Sequence, residues 1–171
     1  MKYAAPVRKQ LGFPTIFNLL GPLTNPASAE YQLLGASSFA RAELLADSLC
    51  QLGGRKSIVV CGNDELDEVS LWGTTLAFEI TPGRIARHEW TAASFGLPEC
   101  KVSDLQVQTA AESGAVIRAA FEGQAPIPCS MVLANTAAAL LACEKVSTLQ
   151  KGVDIAKDAI QSGAATNLLN Q

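Results

Sequence analysis

The chain has 171 residues, 49% of them apolar, with a mean hydropathy of +0.20, so it can bury the core of one α/β domain and is too apolar to remain disordered. Charge is sparse and mildly acidic, net −3 at pH 7 with no lysine- or arginine-rich block, which argues against nucleic acid as a partner. No apolar run reaches the ~20 residues a membrane helix needs and the opening "MKYAAPVRKQLG" has no signal-peptide core, so the expectation is a cytoplasmic protein with no membrane partner.

In chain order, Lys2 to Leu11 reads as a short helix. The segment "GFPTIFNLLGPLTNPAS" that follows is too rich in glycine and proline to be one regular element. It carries Ile16, Phe17, Leu19 and Leu20, apolar side chains that need a covering surface, either another part of a larger protein or a second copy of the chain. The chain therefore divides into residues 1–27, a helix and apolar loop, and residues 28–171, an α/β domain. "YQLLGAS" is a short buried strand, and Ser37 or Ser38 caps a helix from Phe39 to Leu52. Its Leu44, Leu45, Ser48, Leu49 and Leu52 are placed facing the core, and it ends at Gly53-Gly54. "RKSIVVCG" has the continuous apolar centre of a strand covered on both faces. "TTLAFEI" and "RIARHEW" flank "TPG", a hairpin turning at Pro82-Gly83.

"TAASFGLPECKVSDLQVQT" reads mostly as loop, and helices at about 110–121, 128–144 and 147–162 close the chain. The fold class is α/β: a mostly parallel central sheet with an antiparallel edge hairpin and helices on both faces. The five cysteines, Cys50, Cys61, Cys100, Cys129 and Cys143, are scattered without a CxxC and read as reduced, structural thiols.

Between the central strand and the hairpin, "NDELDEVSLWG" puts four carboxylates, Asp64, Glu65, Asp67 and Glu68, into five positions. Charged residues after a strand usually face water. Two physical points favour a metal instead: α/β sheets bind ligands beyond the carboxyl ends of their strands, and adjacent carboxylates repel unless a cation or a proton relieves them. Mg²⁺ commonly takes one or two protein carboxylates and completes its shell with water and substrate phosphates, a role that suits Asp67 and Glu68. Zinc is disfavoured, because the only histidine, His88, lies in the hairpin and reads as a sheet-surface residue.

The strings "VRKQLGFPTIFNLLGPLTNPA", "YQLLG", "DELDEVSLWG", "ANTAAALL" and "SGAATNLL" closely resemble anthranilate phosphoribosyltransferases of tryptophan biosynthesis. The resemblance runs over nearly the whole chain, and pyrimidine nucleoside phosphorylases are more distant relatives. It implies transfer of a phosphoribosyl group from phosphoribosyl pyrophosphate to the amine of anthranilate, with Mg²⁺ on the pyrophosphate. By the same resemblance Arg8 binds the anthranilate carboxylate, Gly21 and Pro22 line the path of the aromatic acceptor, and Asp67 and Glu68 hold Mg²⁺. A guanidinium suits a carboxylate because it can donate two parallel hydrogen bonds. Asp64 and Glu65 are then solvated loop residues. Asn135 matches a family asparagine and reads as a cap or buried hydrogen-bonding group.

The departures are as informative. The family's N-terminal helical domain is missing, and so is the glycine-rich "GTGGD" loop that cradles pyrophosphate: the 171 residues contain no such string. Glu65 stands where the family usually has glycine, which would shift the loop if that position had positive φ. Pro14 replaces a common arginine. The expectation is a C-terminal half, inactive alone, that forms a homo-oligomer or pairs with a missing N-terminal half. Two alternatives stay open: a non-catalytic binding module or subunit reusing the fold, and a pyrimidine nucleoside phosphorylase-like protein.

Overall fold

The computed structural model describes Pro6, Gln10, Leu11, Leu20, Gly21, Leu23, Thr24 and residues 27–171. Most of the expected helix Lys2 to Leu11 and of the segment before residue 27 lies outside the described residues. The elements are β1 (Tyr31–Gly35), α1 (Phe39–Leu52), β2 (Lys56–Gly62), β3 (Thr75–Thr81), β4 (Arg84–Trp90), α2 (Ala92–Phe95), α3 (Ala110–Phe121), α4 (Pro126–Ala142), α5 (Leu149–Gln161) and α6 (Ala164–Leu169), with a 3₁₀ turn at Val102–Asp104.

The four strands form one sheet in the order β1-β2-β3-β4. β1 and β2 are parallel, joined by α1 as the crossover, with Tyr31 opposite Lys56 and Gly35 opposite Val60. β2–β3 and β3–β4 are antiparallel. The α/β class and the edge hairpin are as expected, but the parallel share among the described strands is smaller than "mostly". The reason is local. The connection from Gly62 to Thr75 contains no crossover helix, so β3 can only return antiparallel beside β2. β3 and β4 turn at Pro82-Gly83, where Gly83 takes φ 71°.

Alternation along the strands divides the core in two. Val59 and Cys61 of β2, with Leu76, Phe78 and Ile80 of β3, pack against Ala42, Leu45, Ala46 and Leu49 of α1. Ile58 and Val60, with Ala77 and Trp90, face Leu133, Ala134, Ala137 and Ala138 of α4 and Leu149 and Val153 of α5. Every residue of β2 is buried, as a strand covered on both faces requires.

Four expectations about the helices are corrected. On α1 the buried stripe is Ala42, Leu45, Ala46 and Leu49, the i, i+3, i+4, i+7 pattern, and Leu44 and Leu52 are exposed. The stretch after Trp90 is not all loop: α2 forms there and sets Phe95 edge-on to Trp90, ring centroids 5.8 Å apart. The last helix ends at Gln161, Gly163 takes φ 76°, and α6 follows. α4 begins at Pro126, two residues before the expected start, because proline is at home at the first helical position. All five cysteines are free. No single helix among the described residues is long and apolar enough to cross a membrane.

Candidate metal and phosphate site

Because β1 and β2 are parallel, their carboxyl ends lie side by side, and the acidic loop rises from the end of β2 over the end of β1. The loop begins with a tight closure in which Gly62 N–H donates to Leu66 O at 2.8 Å and Leu66 N–H returns to Gly62 O at 2.9 Å. Asn63 and Asp64 make this turn with φ 51° and 58°, the left-handed region that asparagine and aspartate tolerate best among side chains. Glu65 is not among the positive-φ residues. The expected conflict between Glu65 and a glycine-like backbone therefore does not arise, because the left-handed pair sits immediately before it.

The four acids have separate tasks. Asp64 is exposed but engaged: its Oδ1 accepts from the Phe39 N–H, the first residue of α1, at 2.6 Å. Glu65 Oε1 accepts from Trp72 Nε1 at 3.1 Å and from Asn63 Nδ2 at 3.2 Å, and these bonds hold its carboxyl below the usual carboxylate range. Both are exposed loop residues, as expected, and each is also engaged by a partner. Asp67 and Glu68 are also exposed, and neither has a hydrogen-bond or ion-pair partner among the described residues. Surrounding protein, and then the neighbouring Asp67 carboxylate, push the Glu68 carboxyl upward.

The backbone beneath this free pair is closely packed. Gly35, the last residue of β1, lies so near the Asp67 carbonyl that any side chain there would collide with it. At Gly62 a Cβ would stand 2.8 Å from the Glu68 carbonyl oxygen. One step further, Asn135 of α4 accepts from Val69 N–H through Oδ1 at 2.8 Å, and its Nδ2 donates to Val69 O at 3.2 Å and Met131 O at 3.1 Å. The hydrogen-bonding role expected of Asn135 is thus present, and its partner is the loop. Ser70 N–H completes the anchoring by donating to Thr75 Oγ1 at 2.8 Å, with both residues fully buried.

Two adjacent carboxylate donors with no soft ligand beside them suit a hard cation such as Mg²⁺ that brings its own water and phosphate ligands. They do not make a metal centre alone: no group of three or more His, Cys, Asp or Glu side chains among the described residues is placed to hold an ion. Of the other residues expected at the site, Arg8 and Pro22 lie outside the described residues. Gly21 is exposed, and a Cβ there would meet nothing within 4 Å among the described residues. Asn63, Gly35 and Trp72 were not expected at the site. The Asn-Asp pair after a strand is a sequence signal for the left-handed turn, whereas the close approach at Gly35 leaves no local mark.

A cleft of about 600 Å³ lies elsewhere, at the Lys56 end of β2 beneath the connection between α4 and α5. Its floor is a charged cluster: Lys56 Nζ is 2.9 Å from Glu79 Oε1, and His88 Nε2 is 3.2 Å from Glu79 Oε2 without hydrogen-bond alignment. Burial works to raise the Glu79 carboxyl, but Lys56 and then His88 outweigh it and hold it below the usual range. This cleft and the acidic loop are at opposite ends of β2, so the cavity is not the cation site. Its rim is fixed by Glu144, which takes φ 55° and accepts from Tyr31 Oη and Arg55 Nε, each at 3.0 Å.

The profile of the glycosyl transferase family, a/b domain, matches residues 1–166. Among curated proteins, the chain is 45% identical over 163 residues to an anthranilate phosphoribosyltransferase of Shouchella clausii, covering 95% of this chain and 48% of that one. It is 43% identical over 171 residues to that of Laribacter hongkongensis, covering 100% of this chain and 50% of that one. Among solved structures, an anthranilate phosphoribosyltransferase from Thermus thermophilus superposes with a TM-score of 0.88 at 34% identity, covering 99% of this chain and 50% of that chain. One from Saccharomyces cerevisiae in complex with PRPP and Mg superposes with a TM-score of 0.87 at 29% identity, covering 99% and 49%. The chain spans about half the length of the relatives it matches.

Proposed function

Since the chain belongs to the glycosyl transferase family through its a/b domain, we propose that it is the C-terminal half of an anthranilate phosphoribosyltransferase, acting in the cytoplasm in tryptophan biosynthesis. In that reaction the bond from the ribose anomeric carbon to pyrophosphate breaks, a bond to the anthranilate nitrogen forms, and the amine loses a proton. The observation that carries this reading is the Asp67-Glu68 pair, free of partners among the described residues and seated on a packed backbone over the end of β1.

Asp67 and Glu68 are the residues that would hold Mg²⁺. When bound, the ion neutralises charge on the leaving pyrophosphate. Arg8 receives the anthranilate carboxylate, and Gly21 and Pro22 border the acceptor's path. Both reactants must be held in register for the transfer, and the 171 residues contain no glycine-rich phosphate cradle. The chain alone therefore lacks meaningful activity and needs the complementary half, whose docking, or self-association through the apolar residues Ile16 to Leu20, makes the working assembly. The solved relatives bound to PRPP with Mg and to 4-fluoroanthranilate support these ligand classes.

The test is calorimetric titration with Mg²⁺-phosphoribosyl pyrophosphate, on the chain alone and after adding the N-terminal half of a homologous enzyme, with turnover of anthranilate followed in parallel. Binding and turnover that appear only with the added half are expected. Turnover by the chain alone overturns the requirement for that half. Failure of the reconstituted pair to bind or turn over overturns the enzymatic reading in favour of a non-catalytic module. Thermal stabilisation of the pair by thymidine and not anthranilate points to the nucleoside phosphorylases.

A further inference from the structure

The carboxylates of Asp67 and Glu68 have no partners among the described residues, whereas the backbone around them is closely packed and, directly beyond them, hydrogen-bonded. The Asp67 carbonyl rests against Gly35, and the Glu68 carbonyl faces Gly62. Beyond them the Val69 N–H and C=O are both bound by one carboxamide, that of Asn135, which reaches across 66 positions of sequence. The Val69 N–H belongs to the peptide that carries the Glu68 carbonyl, and the Val69 C=O belongs to the next peptide. One side chain therefore fixes the orientation of two consecutive peptides directly beyond the acidic pair.

No strand ladder supplies these bonds, because residues 67–74 belong to no helix or strand. Asn135 is in turn tied to its own helix through Met131 O at 3.1 Å, so its carboxamide has an anchor outside the loop. An apolar residue at position 135 would leave the buried Val69 N–H and C=O without these partners.

We infer that Asn135 is a positioning residue: its carboxamide sets where the Asp67-Glu68 segment stands and so prepares the pair for a divalent cation. The cation itself rests on the function proposed above, whereas the positioning does not. Outer-shell groups of this kind are costly to lose because ligands must be aimed as well as present. The carboxamide is the suitable chemistry, since it offers an acceptor and a donor at once. Aspartate can accept from Val69 N–H but cannot donate to the two carbonyls, and it would add a third negative charge near the pair.

The test compares wild type, Asn135→Ala, Asn135→Asp and Asp67→Asn, by amide hydrogen exchange of the 171-residue chain without metal and, after adding the N-terminal half of a homologous enzyme, by Mn²⁺ titration with inorganic pyrophosphate, read by electron paramagnetic resonance. Asn135→Ala is expected to speed exchange at Val69 by about tenfold relative to the amides of β2. It is also expected to weaken Mn²⁺ binding by about 10- to 100-fold. Asn135→Asp is expected to keep most of the Val69 N–H protection, because its carboxylate still accepts that bond. Exchange that rises equally in β2 and at Val69, or Mn²⁺ affinity unchanged by Asn135→Ala but lost in Asp67→Asn, overturns the proposal. If Mn²⁺ binding by wild type is indifferent to Asp67→Asn, the metal reading of the site falls. The exchange ratio at Val69 then decides the positioning role by itself.

Discussion

Asp64 Oδ1 accepts a hydrogen bond of 2.6 Å from the backbone N–H of Phe39, joining the acidic loop to the start of α1. α1 already has a cap in Ser38, whose Oγ accepts from Arg41 N–H at 3.3 Å, so two side chains satisfy two of its free amides. A carboxylate there also complements the positive end of the helix. The first acid of the cluster thus serves the fold, and the free pair three and four residues on is the group available to a ligand.

The two kinds of acid separate under mutation. Asp64→Ala should lower stability by about 1 kcal/mol, the usual cost of a lost cap, with Asp64→Asn losing less. Asp67→Asn should stay within about 0.5 kcal/mol of wild type, because Asp67 has no partner to lose among the described residues. Urea denaturation midpoints measure both, and a larger loss for Asp67→Asn would reverse the assignment.

At Gly35, replacement by alanine drives a methyl group into the Asp67 carbonyl. The expected cost is roughly 1–3 kcal/mol of overpacking, together with weaker Mn²⁺ binding as the loop is displaced. Gly21→Ala is the control, since a Cβ there meets nothing within 4 Å among the described residues, and its melting temperature should match wild type. Equal thermal stability of Gly35→Ala and wild type would show that the loop does not rest on β1.

Cation binding should depend on pH through Glu68, whose carboxyl is raised by its surroundings and then by Asp67. A raised carboxyl holds its proton more tightly folded than unfolded. Ionising it therefore costs the folded chain stability, a cost absent below the unfolded value and fully present above the raised one. A bound cation reverses this. Mn²⁺ affinity should fall as pH drops through the region just above the ordinary carboxylate range, and Asp67→Asn should move that fall to lower pH. Titrations of Mn²⁺ across mildly acidic pH would show it, and a flat profile would contradict it.

Glu79 gives the opposite sign. Lys56, whose side chain is only 10% exposed, and then His88 hold the Glu79 carboxyl low against the effect of burial. Its contribution to stability is present above the ordinary carboxylate value and disappears as pH falls through the depressed one. Glu79→Gln should cost roughly 3 kcal/mol near neutral pH, because it leaves Lys56 buried without its counter-ion. The same variant should flatten the acid limb of the stability curve, measured by denaturation at stepped pH.

Much of this was legible in the residues, because the signals are local. The apolar run of β2, the turn at Pro82-Gly83 and a cap at Ser37 or Ser38 depend on neighbours a few positions away, and the strings shared with phosphoribosyltransferases directed attention to Asp67 and Glu68. Only the tertiary structure could show what Asp64 and Glu65 bind and what supports the pair. Asp64 is engaged by Phe39, 25 positions earlier, and the pair's peptide support comes from Gly35 on one side and Asn135 on the other. Such partners are chosen by how β1 and β2 lie parallel and by where α4 crosses their ends. A sequence specifies local conformation directly through sterics and periodicity. Contacts across the sheet exist only once the chain has folded, so the residues that aim the site cannot be read beside the residues that form it.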